Sequence, residues 1–322
     1  MVAIFIGSIR SKMIGWFQNK PIGRFRQGRE VLYLKRVFAI IRTKRSVSMK
    51  KVLTIAGSDS TGGAGLEADL KTFEEYGVFG FASITAIVTM DPATGWSHEV
   101  TELPADLLVK QLISAFAGEE MAALKTGMMG NEANILATVD FLADKKVANI
   151  VVDPVIACKG TAQILQPQVV AALKKYLLPL ATITTPNLVE AGILSELGDL
   201  TSVADMQKAA RAIYQQGAKN VIVKGGHRLK EDKAIDVFYD GTDFVTLENE
   251  LYQTDYNHGA GCTFAAAVTA GVAKGAPVNR AVSMAKQFVA AAIKEGLQIN
   301  PYVGHVWHGA YNQAEKRMAV TQ

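Results

Sequence analysis

The segment VLTIAGSDSTGGAGLEADLKTFEEYGVFGFASITAIVT (residues 52–89) contains the pattern that decides the fold. A short apolar run is followed by a glycine-rich loop, a stretch with one apolar face and a β-branched run. The apolar positions of the middle stretch follow the spacing of a helix that ends at Gly77: Leu66, Leu70 and Phe73. The pattern predicts a strand at 52–56, a helix at 65–77 and a buried strand at 81–89, which together form one βαβ unit.

Strand-like and helix-like segments continue to alternate as far as residue 296. Further strands are predicted at 123–129, 149–155, 181–186 and 220–226, a hairpin at 234–248, and helices at 105–116, 187–197, 203–217, 263–274 and 279–296. Such alternation predicts an α/β fold with a mainly parallel central sheet and helices on both faces. No linker divides this body, so we expect a single domain. Ligands bind these sheets at the carboxyl ends of the strands, where candidate functional residues should lie.

Composition and charge exclude several classes of protein. Of 322 residues, 49% are hydrophobic and 20% charged, which excludes wholesale disorder, and no apolar run is long enough to predict a membrane-spanning helix. The two cysteines, Cys158 and Cys262, exclude a disulfide framework and favour a reducing compartment, so we expect a cytoplasmic protein. The first 48 residues hold 11 Lys and Arg and one acid, whereas the rest of the chain is mildly acidic. We therefore expect no nucleic-acid partner for the folded body.

The basic first segment, residues 1–48, is open to three interpretations. Its arginines and near lack of acid are typical of a mitochondrial presequence, and its mixture of basic and aromatic residues fits a membrane-surface segment. We favour an upstream extension of the reading frame, with translation starting at Met49, because the first strand follows Met49 almost directly. The expected organisation is a basic extension at 1–48 outside the fold, a folded domain at 49–312 and a C-terminal tail at 313–322.

The loop AGSDSTGGAG (56–65) connects the first strand to the first helix. Its glycines permit close approach of the backbone to a ligand, the helix start offers N–H groups to an anion or a polar ring, and Ser58 and Asp59 add polar side chains. A competing interpretation is the dinucleotide fingerprint G-x-G-x-x-A, matched by 63–68 with Asp91 as its acidic residue. The loop is longer than the tight turn of that fingerprint, which favours the first interpretation.

A second glycine loop, NHGAGCTF (257–264), precedes an alanine-rich helix. Gly259, Gly261 and the backbone of Cys262 are predicted to form an anion hole at the helix N-terminus. The same helix end favours a thiolate, so we expect a lowered pKa for Cys262, and the alternative is a buried structural cysteine in a tight turn. No G-x-x-x-x-G-K-[ST] sequence occurs, which disfavours a P-loop nucleotidase.

Polar residues also follow several other predicted strands. Asp153 lies in VVDPV, Asn187 and Glu190 lie in TPNLVEA, and Lys224 lies in VIVKGG. A carboxylate, an amide and an amine at one edge of a sheet suit Mg²⁺ and a triphosphate, although each alone is more often a helix cap or a solvated residue. The loop CKG (158–160) places a lysine that can close over phosphates, and the alternative is a solvent-exposed turn.

Together and in this order, AGSDSTGGAG, VVDPV, TPNLVEA, VKGGH and HGAGCT resemble the pyridoxal kinase and hydroxymethylpyrimidine (phosphate) kinase branch of the ribokinase superfamily. The resemblance covers approximately residues 50–312. It implies a ribokinase-like fold, usually a homodimer in the cytosol. It also implies ATP- and Mg²⁺-dependent phosphorylation of a hydroxymethyl group on a pyridine or pyrimidine ring.

The resemblance further implies a role for each residue that matches a motif. The implied sites are Asp59 and Val155 for the substrate, Asn187, Lys224 and Gly226 for the nucleotide, Glu190 for the metal, and Gly259, Ala260, Gly261 and Cys262 for a catalytic anion hole. From their positions and chemistry we add Ser58, Met90 and Cys158 to the substrate site and Asp153 and His258 to the nucleotide site. In the wider superfamily the last position of that hole is an aspartate base. The resemblance therefore implies that the thiolate of Cys262 takes the proton of the substrate hydroxyl.

Two residues favour a pyridine over a pyrimidine substrate. Met90 stands where pyrimidine kinases of this type have a glutamine, and a thioether would leave an amino group and a ring nitrogen unpaired, at a cost of roughly 1–3 kcal/mol. Cys158 can add to the aldehyde of pyridoxal as a hemithioacetal, and the pyrimidine has no aldehyde. We therefore expect a kinase for pyridoxal, pyridoxine or pyridoxamine, which salvages vitamin B6 to pyridoxal 5'-phosphate. The alternatives are a hydroxymethylpyrimidine/phosphomethylpyrimidine kinase of thiamine biosynthesis and a non-catalytic protein that binds B6 vitamers.

Overall fold

The computed structural model describes residues 49–117, 120–156 and 167–314. Its strands are, in chain order, β1 (Lys51–Asp59), β2 (Phe79–Asp91), β3 (Ser97–Glu102), β4 (Ala123–Thr126), β5 (Ile150–Val152), β6 (Ile183–Thr184), β7 (Val221–Lys224), β8 (Lys233–Tyr239), β9 (Phe244–Glu250), β10 (Leu297–Gln298) and β11 (Gly304–His305). Within these ranges the first nine strands form one sheet in the order β3-β2-β1-β4-β5-β6-β7-β8-β9. Strands β2, β1, β4, β5, β6 and β7 are parallel, whereas β3 and the β8–β9 hairpin are antiparallel at the two edges.

Helices follow most of the parallel strands. They are, in chain order, α1 (Gly65–Glu75), α2 (Ala105–Ala115), α3 (Glu132–Leu142), α4 (Pro167–Ala172), α5 (Leu188–Ser195), α6 (Val203–Gln215), α7 (Ala260–Ala273) and α8 (Val278–Lys294). Strands β10 and β11 pair with each other in a separate antiparallel ribbon. In the part of the chain that the structure describes, no helix combines the length and the apolar character needed to cross a membrane.

The sheet is covered on both faces because successive side chains of a strand point to opposite sides. Leu53 and Ile55 of β1 belong to an apolar cluster that includes residues of α2 to α6. Val52, which directly precedes Leu53, points to the other face of the sheet. It belongs to a second apolar cluster that includes residues of α1, α7 and α8. The predicted α/β fold, with a mainly parallel sheet and helices on both faces, is confirmed, as is the hairpin now seen as β8 and β9.

The buried strand predicted at 81–89 is longer and more exposed in the structure than was predicted. It is the central part of β2, which runs on to Asp91 and pairs there with the antiparallel edge strand β3. This end of β2 is partly open to solvent, since Ile87 is 38% exposed. Strand β3 was not predicted because its sequence, SHEVTE, is polar and mostly exposed and lacks the alternation of a half-buried strand.

Two helical regions were also missed. Helix α3 has apolar residues on several sides, so its sequence lacks the single apolar stripe by which an amphipathic helix is identified. The second region begins with α4 and continues as a π-helical turn at Leu173–Leu177 and a 3₁₀ turn at Leu178–Leu180. Changes of helical period within so short a segment obscure the 3.6-residue pattern.

Candidate active site

A cavity of about 960 Å³ lies where the parallel strands end. Its volume is at the upper end of the range usual for small-molecule sites, which is roughly 300–1,000 Å³. The predicted site residues that line it are Asp59, Met90, Asp153, Val155, Asn187, Glu190, Lys224, Gly226, His258, Gly259, Ala260, Gly261 and Cys262. The fold thus brings together residues that follow β1, β5, β6 and β7 with the start of α7. Cys158 falls in residues 157–166, outside the described residues.

Asp59, the last residue of β1, organises the first glycine loop. Its Oδ1 accepts hydrogen bonds from the N–H (2.8 Å) and the hydroxyl (2.7 Å) of Thr61, and its Oδ2 accepts one from the N–H of Ala64 (2.9 Å). Ser58 does not line the cavity, because it donates its hydroxyl to Oε1 of Glu67 (2.6 Å) in the first turn of α1. Ser58 therefore closes the loop onto the helix rather than facing a ligand.

The dinucleotide interpretation of this loop does not hold. It requires Asp91 to face the ligand, but the Oδ1 of Asp91 accepts the N–H of Ala93 (2.8 Å) and caps an exposed 3₁₀ turn at Pro92–Thr94. Asp91 is not among the residues that line the cavity.

The two glycine loops touch each other at Gly259 and Gly63. Gly259 has a φ of +83°, in the left-handed region that favours glycine, and is followed at once by α7. A Cβ on Gly259 would lie 1.8 Å from the carbonyl oxygen of Gly63. This contact sets the start of α7, with Gly261 and Cys262 in its first turn, against the first loop. The N–H of Ala260 is already used, since it donates to the carbonyl of Asn257 (3.2 Å).

His258 lies beside Asp59, whereas we expected it beside the nucleotide. Its Nε2 is 2.8 Å from Oδ2 of Asp59, and its ring centroid is 5.1 Å from that of His305. Burial opposes ionisation of Asp59, but the hydrogen bonds from His258 and Thr61 outweigh burial and hold the pKa of this carboxyl well below its usual range. Asp59 is therefore an anion held in one orientation at the cavity wall.

Asp153 connects two lysines at the end of β5. Its Oδ1 accepts the hydroxyl of Thr185 (3.0 Å) and lies 3.5 Å from Nζ of Lys224, while its Oδ2 lies 3.9 Å from Nζ of Lys125. A Cβ on Gly261 would be 3.6 Å from Nζ of Lys224. The amine of Lys224 is thus placed directly at the start of α7, where a phosphate would meet both the cation and the helix N-terminus.

A second lysine of this cavity, Lys125 of β4, was not predicted from the sequence. Its side chain is fully buried, and Nζ lies 3.0 Å from Oδ2 of Asp69 on α1. The same oxygen accepts the hydroxyl of Thr54 (2.6 Å). The sequence ALKTGMM did contain a signal for it, namely a lysine within an apolar predicted strand. Because a lysine is almost never fully buried unless it is paired, this lysine indicated a buried acidic partner.

Asn187 and Glu190 form a reciprocal cap at the start of α5. The Oδ1 of Asn187 accepts the N–H groups of Val189 (2.9 Å) and Glu190 (3.1 Å), and Oε2 of Glu190 accepts the N–H of Asn187 (2.9 Å). The oxygen of Asn187 is therefore used by the helix, and its amide nitrogen remains the group that can face a nucleotide.

Glu190 also has the properties expected of a Mg²⁺ ligand. The pKa of its carboxyl is raised to about 7, mainly by burial and secondly by the negative charge of Asp153. The positive charge of Lys224 acts in the opposite direction but is the weaker effect. A divalent cation beside Glu190 would relieve that conflict. Within the described ranges no group of three or more His, Cys, Asp or Glu side chains is arranged to hold a metal. Mg²⁺ is usually held by one or two carboxylates together with substrate phosphates, so the carboxylate of Glu190 is the kind of single protein ligand that such a site uses.

Met90 and Val155, which were assigned to the substrate ring, form one wall of the cavity together with His98. Met90 is opposite His98 in the β2–β3 pairing, and both line the cavity with Val155. Burial lowers the pKa of His98, so its ring is neutral at neutral pH. His98 was not predicted as a site residue. It lies in β3, whose polar and mostly exposed sequence indicated neither a strand nor a residue that faces the cavity.

The predicted lowering of the Cys262 pKa is wrong. Burial in the cavity wall raises the pKa of this thiol to about 12, although the charge of Lys125 and the N–H of Gly65 oppose the increase. In the resting site Cys262 is therefore a protonated thiol.

Three comparisons with known proteins agree with this geometry. A family model described as phosphomethylpyrimidine kinase matches residues 59–307. A putative pyridoxine kinase of Staphylococcus aureus is 52% identical over 270 residues, which cover 84% of this chain and 97% of that protein. The solved structure of the pyridoxal kinase from S. aureus in complex with AMP-PCP and pyridoxal matches with a TM-score of 0.78 and 51% identity, over 82% of this chain and 95% of that one.

A hydroxymethylpyrimidine/phosphomethylpyrimidine kinase of Haemophilus influenzae is also similar. It is 43% identical over 270 residues, which cover 83% of this chain and 99% of that protein. Its identity is lower than that of the relative named as a pyridoxine kinase.

Proposed function

The chain belongs to the phosphomethylpyrimidine kinase family, and on that premise we propose that it transfers the γ-phosphoryl group of ATP to the hydroxymethyl group of pyridoxal, pyridoxine or pyridoxamine. The observation that carries this proposal is the meeting of the two glycine loops at Gly63 and Gly259. It places the start of α7 and the amine of Lys224 in the same cavity as the Asp59–His258 pair. A phosphoryl group could therefore bind at Lys224 and the start of α7, next to a small polar ring bound at the Asp59–His258 pair.

The phosphate side of the site works by positioning and by charge. Lys224 and the N–H groups at the start of α7 would stabilise the negative charge on the transferring phosphoryl group. Gly226 lines the cavity two residues after Lys224 and leaves room there for the nucleotide. Glu190 would hold Mg²⁺, which when bound neutralises charge on the β- and γ-phosphates.

The ring side of the site is formed by Asp59, Met90 and Val155. The anionic Asp59 is fixed by Thr61, Ala64 and His258, and it would contribute its negative charge to the ring side of the site. Met90 and Val155 offer apolar contact to a methylated pyridine.

Cys262, in the first turn of α7, is the group we propose to accept the hydroxyl proton. Because its thiol is protonated in the resting site, this role requires that Cys262 first lose its own proton once the substrates are bound. The hydroxyl proton would then leave late, because phosphoryl transfer has a loose transition state.

We propose the vitamin rather than the pyrimidine as the preferred substrate because Met90 lacks the amide that would pair with an aminopyrimidine. The relative with higher identity is also one named as a pyridoxine kinase. The test is a coupled ADP-release assay on the full chain with Mg-ATP and, in turn, pyridoxal, pyridoxine, hydroxymethylpyrimidine and its monophosphate. Faster turnover of the pyridines supports the proposal, and faster turnover of the pyrimidine or its monophosphate refutes the ring assignment. Nucleotide binding without turnover of any substrate would identify a binding protein.

Hydroxymethylpyrimidine/phosphomethylpyrimidine kinase activity is the second candidate function. It is favoured by the H. influenzae relative and by His98, a neutral polar ring beside Met90 that can pair with an aminopyrimidine. Replacement of His98 by phenylalanine would remove that partner. Loss of pyrimidine turnover in this variant, with pyridoxine turnover retained, would assign His98 to a second activity.

Cys158 remains a proposed substrate residue. As a hemithioacetal it would hold pyridoxal through the aldehyde, which pyridoxine lacks. Cys158→Ala is expected to weaken the use of pyridoxal and to spare pyridoxine. Equal losses on both vitamers would contradict the hemithioacetal.

We also propose a cytoplasmic homodimer whose folded domain spans residues 49–312. Exposed apolar side chains on β2, β3 and α2 support an association surface; they are Ile87, Val100, Leu107 and Ile113. Light scattering of the full chain would test the dimer, and a monomeric mass would refute it. Limited proteolysis followed by mass spectrometry would test the domain bounds.

A further inference from the structure

Next to the turn that follows β7 lies a buried ion pair that the proposed phosphate site does not use. Nζ of Lys286 on α8 is 2.8 Å from Oδ2 of Asp236 on β8. Both side chains are less than a tenth exposed, and both residues line the cavity. The pair therefore belongs to the wall of the proposed active site, where β8 and α8 contribute to it.

Asp236 holds the turn at 224–228, all five residues of which line the cavity. In the β7–β8 pairing Asp236 is opposite Lys224, and its Oδ1 accepts the N–H of the next residue, Gly225 (3.1 Å). The same N–H also donates to the carbonyl of Ile235 (3.0 Å). A Cβ on Gly225 would collide with that carbonyl oxygen, so the turn lies directly against β8. Asp236 thus fixes the backbone immediately after the lysine of the proposed phosphate site.

Lys286 in turn fixes the orientation of Asp236. Its ammonium donates to the carbonyl of Ala234 (2.9 Å) as well as to Asp236, so it is bound to two residues of β8. The backbone carbonyl of Lys286 accepts the side-chain N–H of Asn249 on β9 (3.2 Å). The carboxylate of Asp236 is therefore shared between two donors, with Oδ2 on Lys286 and Oδ1 on Gly225.

Stability alone does not explain why this position holds a charged pair. Removing two charges from water costs about as much as their attraction returns, so apolar residues of similar size often stabilise such a position equally well. The next residues of α8 that line the cavity are indeed apolar: Val289, Ala290 and Ile293. An apolar pair, however, could not accept the N–H of Gly225. The carboxylate oxygen that binds the turn is what an apolar replacement would remove.

We propose that Asp236 is a positioning residue for the nucleotide, which holds the turn at 224–228 in the conformation that binds ATP, and that Lys286 fixes the Asp236 carboxylate for this purpose. The proposal rests on the proposed function and deepens it, because the turn contains Lys224 and Gly226 of the proposed nucleotide site. A turn that is ordered before binding spares the nucleotide the entropic cost of ordering it. Neither Asp236 nor Lys286 needs to touch ATP.

The test compares two double variants that lack the ion pair. Lys286→Met/Asp236→Asn and Lys286→Met/Asp236→Leu both remove the two charges, so neither leaves an unpaired charge buried. Asparagine retains an oxygen that can accept the N–H of Gly225, whereas leucine, which has a similar shape, does not. Titration calorimetry of the full chain with ADP should give an affinity about tenfold lower for the leucine variant than for the asparagine variant, which corresponds to one hydrogen bond. Equal affinities of the two variants would overturn the proposal.

The steady-state constants separate this positioning role from a general loosening of the fold. In the leucine variant KM for ATP should rise by a similar factor, whereas KM for pyridoxine should not change. A rise of both constants would overturn the proposal. Lys233→Met is a matched control, because it breaks the exposed pair between Lys233 and Glu248 in the same hairpin, outside the cavity. It should alter neither constant, and a rise in its KM for ATP would also overturn the proposal.

Hydrogen exchange keeps the proposal testable if the leucine variant does not fold. In the wild type the amide of Gly225 should be protected from exchange before ADP is added, and free exchange of this amide would overturn the proposal. An absence of kinase activity in the wild type, with the predicted difference in ADP affinity intact, would refute the proposed function and leave the role of Asp236 standing. Kinase activity together with equal ADP affinities of the two variants would refute the positioning role alone.

Discussion

Replacing Gly259 by alanine would place a methyl group 1.8 Å from the carbonyl oxygen of Gly63, whereas ordinary contact begins at 3.4 Å. The neighbouring atom is backbone and cannot rotate away. The two glycine loops must therefore separate by about 1.5 Å, and a displacement of about 1 Å in an active site costs about 100-fold in rate. Because Gly259 directly precedes α7, this displacement would move Gly261 and Cys262 relative to Asp59.

Gly275 supplies a matched control at the other end of α7. It has a φ of +92°, compared with +83° at Gly259, but a Cβ there would meet nothing within 4 Å. Both alanine variants bear the cost of a left-handed conformation, about 1–2 kcal/mol. Only Gly259→Ala adds the contact between the loops.

The assay compares thermal unfolding and kcat/KM of the two variants. Both should unfold at a temperature lower by roughly 2–8 °C. Gly259→Ala should lose about 100-fold or more in kcat/KM, whereas Gly275→Ala should stay close to the wild type. If Gly259→Ala unfolds as predicted but remains as active as Gly275→Ala, the contact between the loops does not position the catalytic groups, and the central argument for the site fails.

Three further outcomes are expected. Met90→Gln should raise turnover of hydroxymethylpyrimidine relative to pyridoxine by about tenfold, because an amide pairs the amino group; an unchanged ratio in the ADP-release assay would contradict this. Cys262→Ala should lower kcat by about 10²–10⁴-fold with little change in KM for the vitamin, and equal turnover would exclude it as the base. Burial lowers the pKa of His308 to about 4 from 6.5, so its contribution to stability is complete above pH 6.5 and declines as pH falls toward 4. Urea unfolding of His308→Gln should lack this decline, which amounts to about 3 kcal/mol.

Most of the fold could be predicted because its signals are local. The apolar run of β1, the one-sided spacing of α1 and the β-branched residues of β2 each indicate one element, and the alternation of such elements leaves few topologies. The elements that were missed lack a local signal. Strand β3 is polar and exposed because it lies at the edge, and α3 is apolar on several sides.

The candidate site could be predicted in outline for a related reason. In a parallel sheet, residues that follow neighbouring strands meet at one edge whatever their separation in the chain. Asp59, Asp153, Glu190 and Lys224 could therefore be placed in one cavity from strand ends alone. Contacts within that cavity could not be predicted in the same way. The hydrogen bond between His258 and Asp59 joins two loops far apart in sequence, and it places His258 beside a residue that the resemblance assigned to the substrate rather than to the nucleotide.

The pKa of Cys262 shows why a local rule can give the wrong sign. The N-terminus of α7 acts on the sulfur as roughly half a positive charge, which in water would favour the thiolate. Burial of the sulfur in the cavity wall acts in the opposite direction and is the largest cause of the shift, which raises the pKa to about 12. The full charge that opposes this rise belongs to Lys125, which is itself paired with Asp69 (3.0 Å). Neither residue lies near Cys262 in the sequence. The residues that surround Cys262 in the sequence therefore do not indicate the sign of its pKa shift, because burial and the charges that act on the thiol come from other elements of the fold.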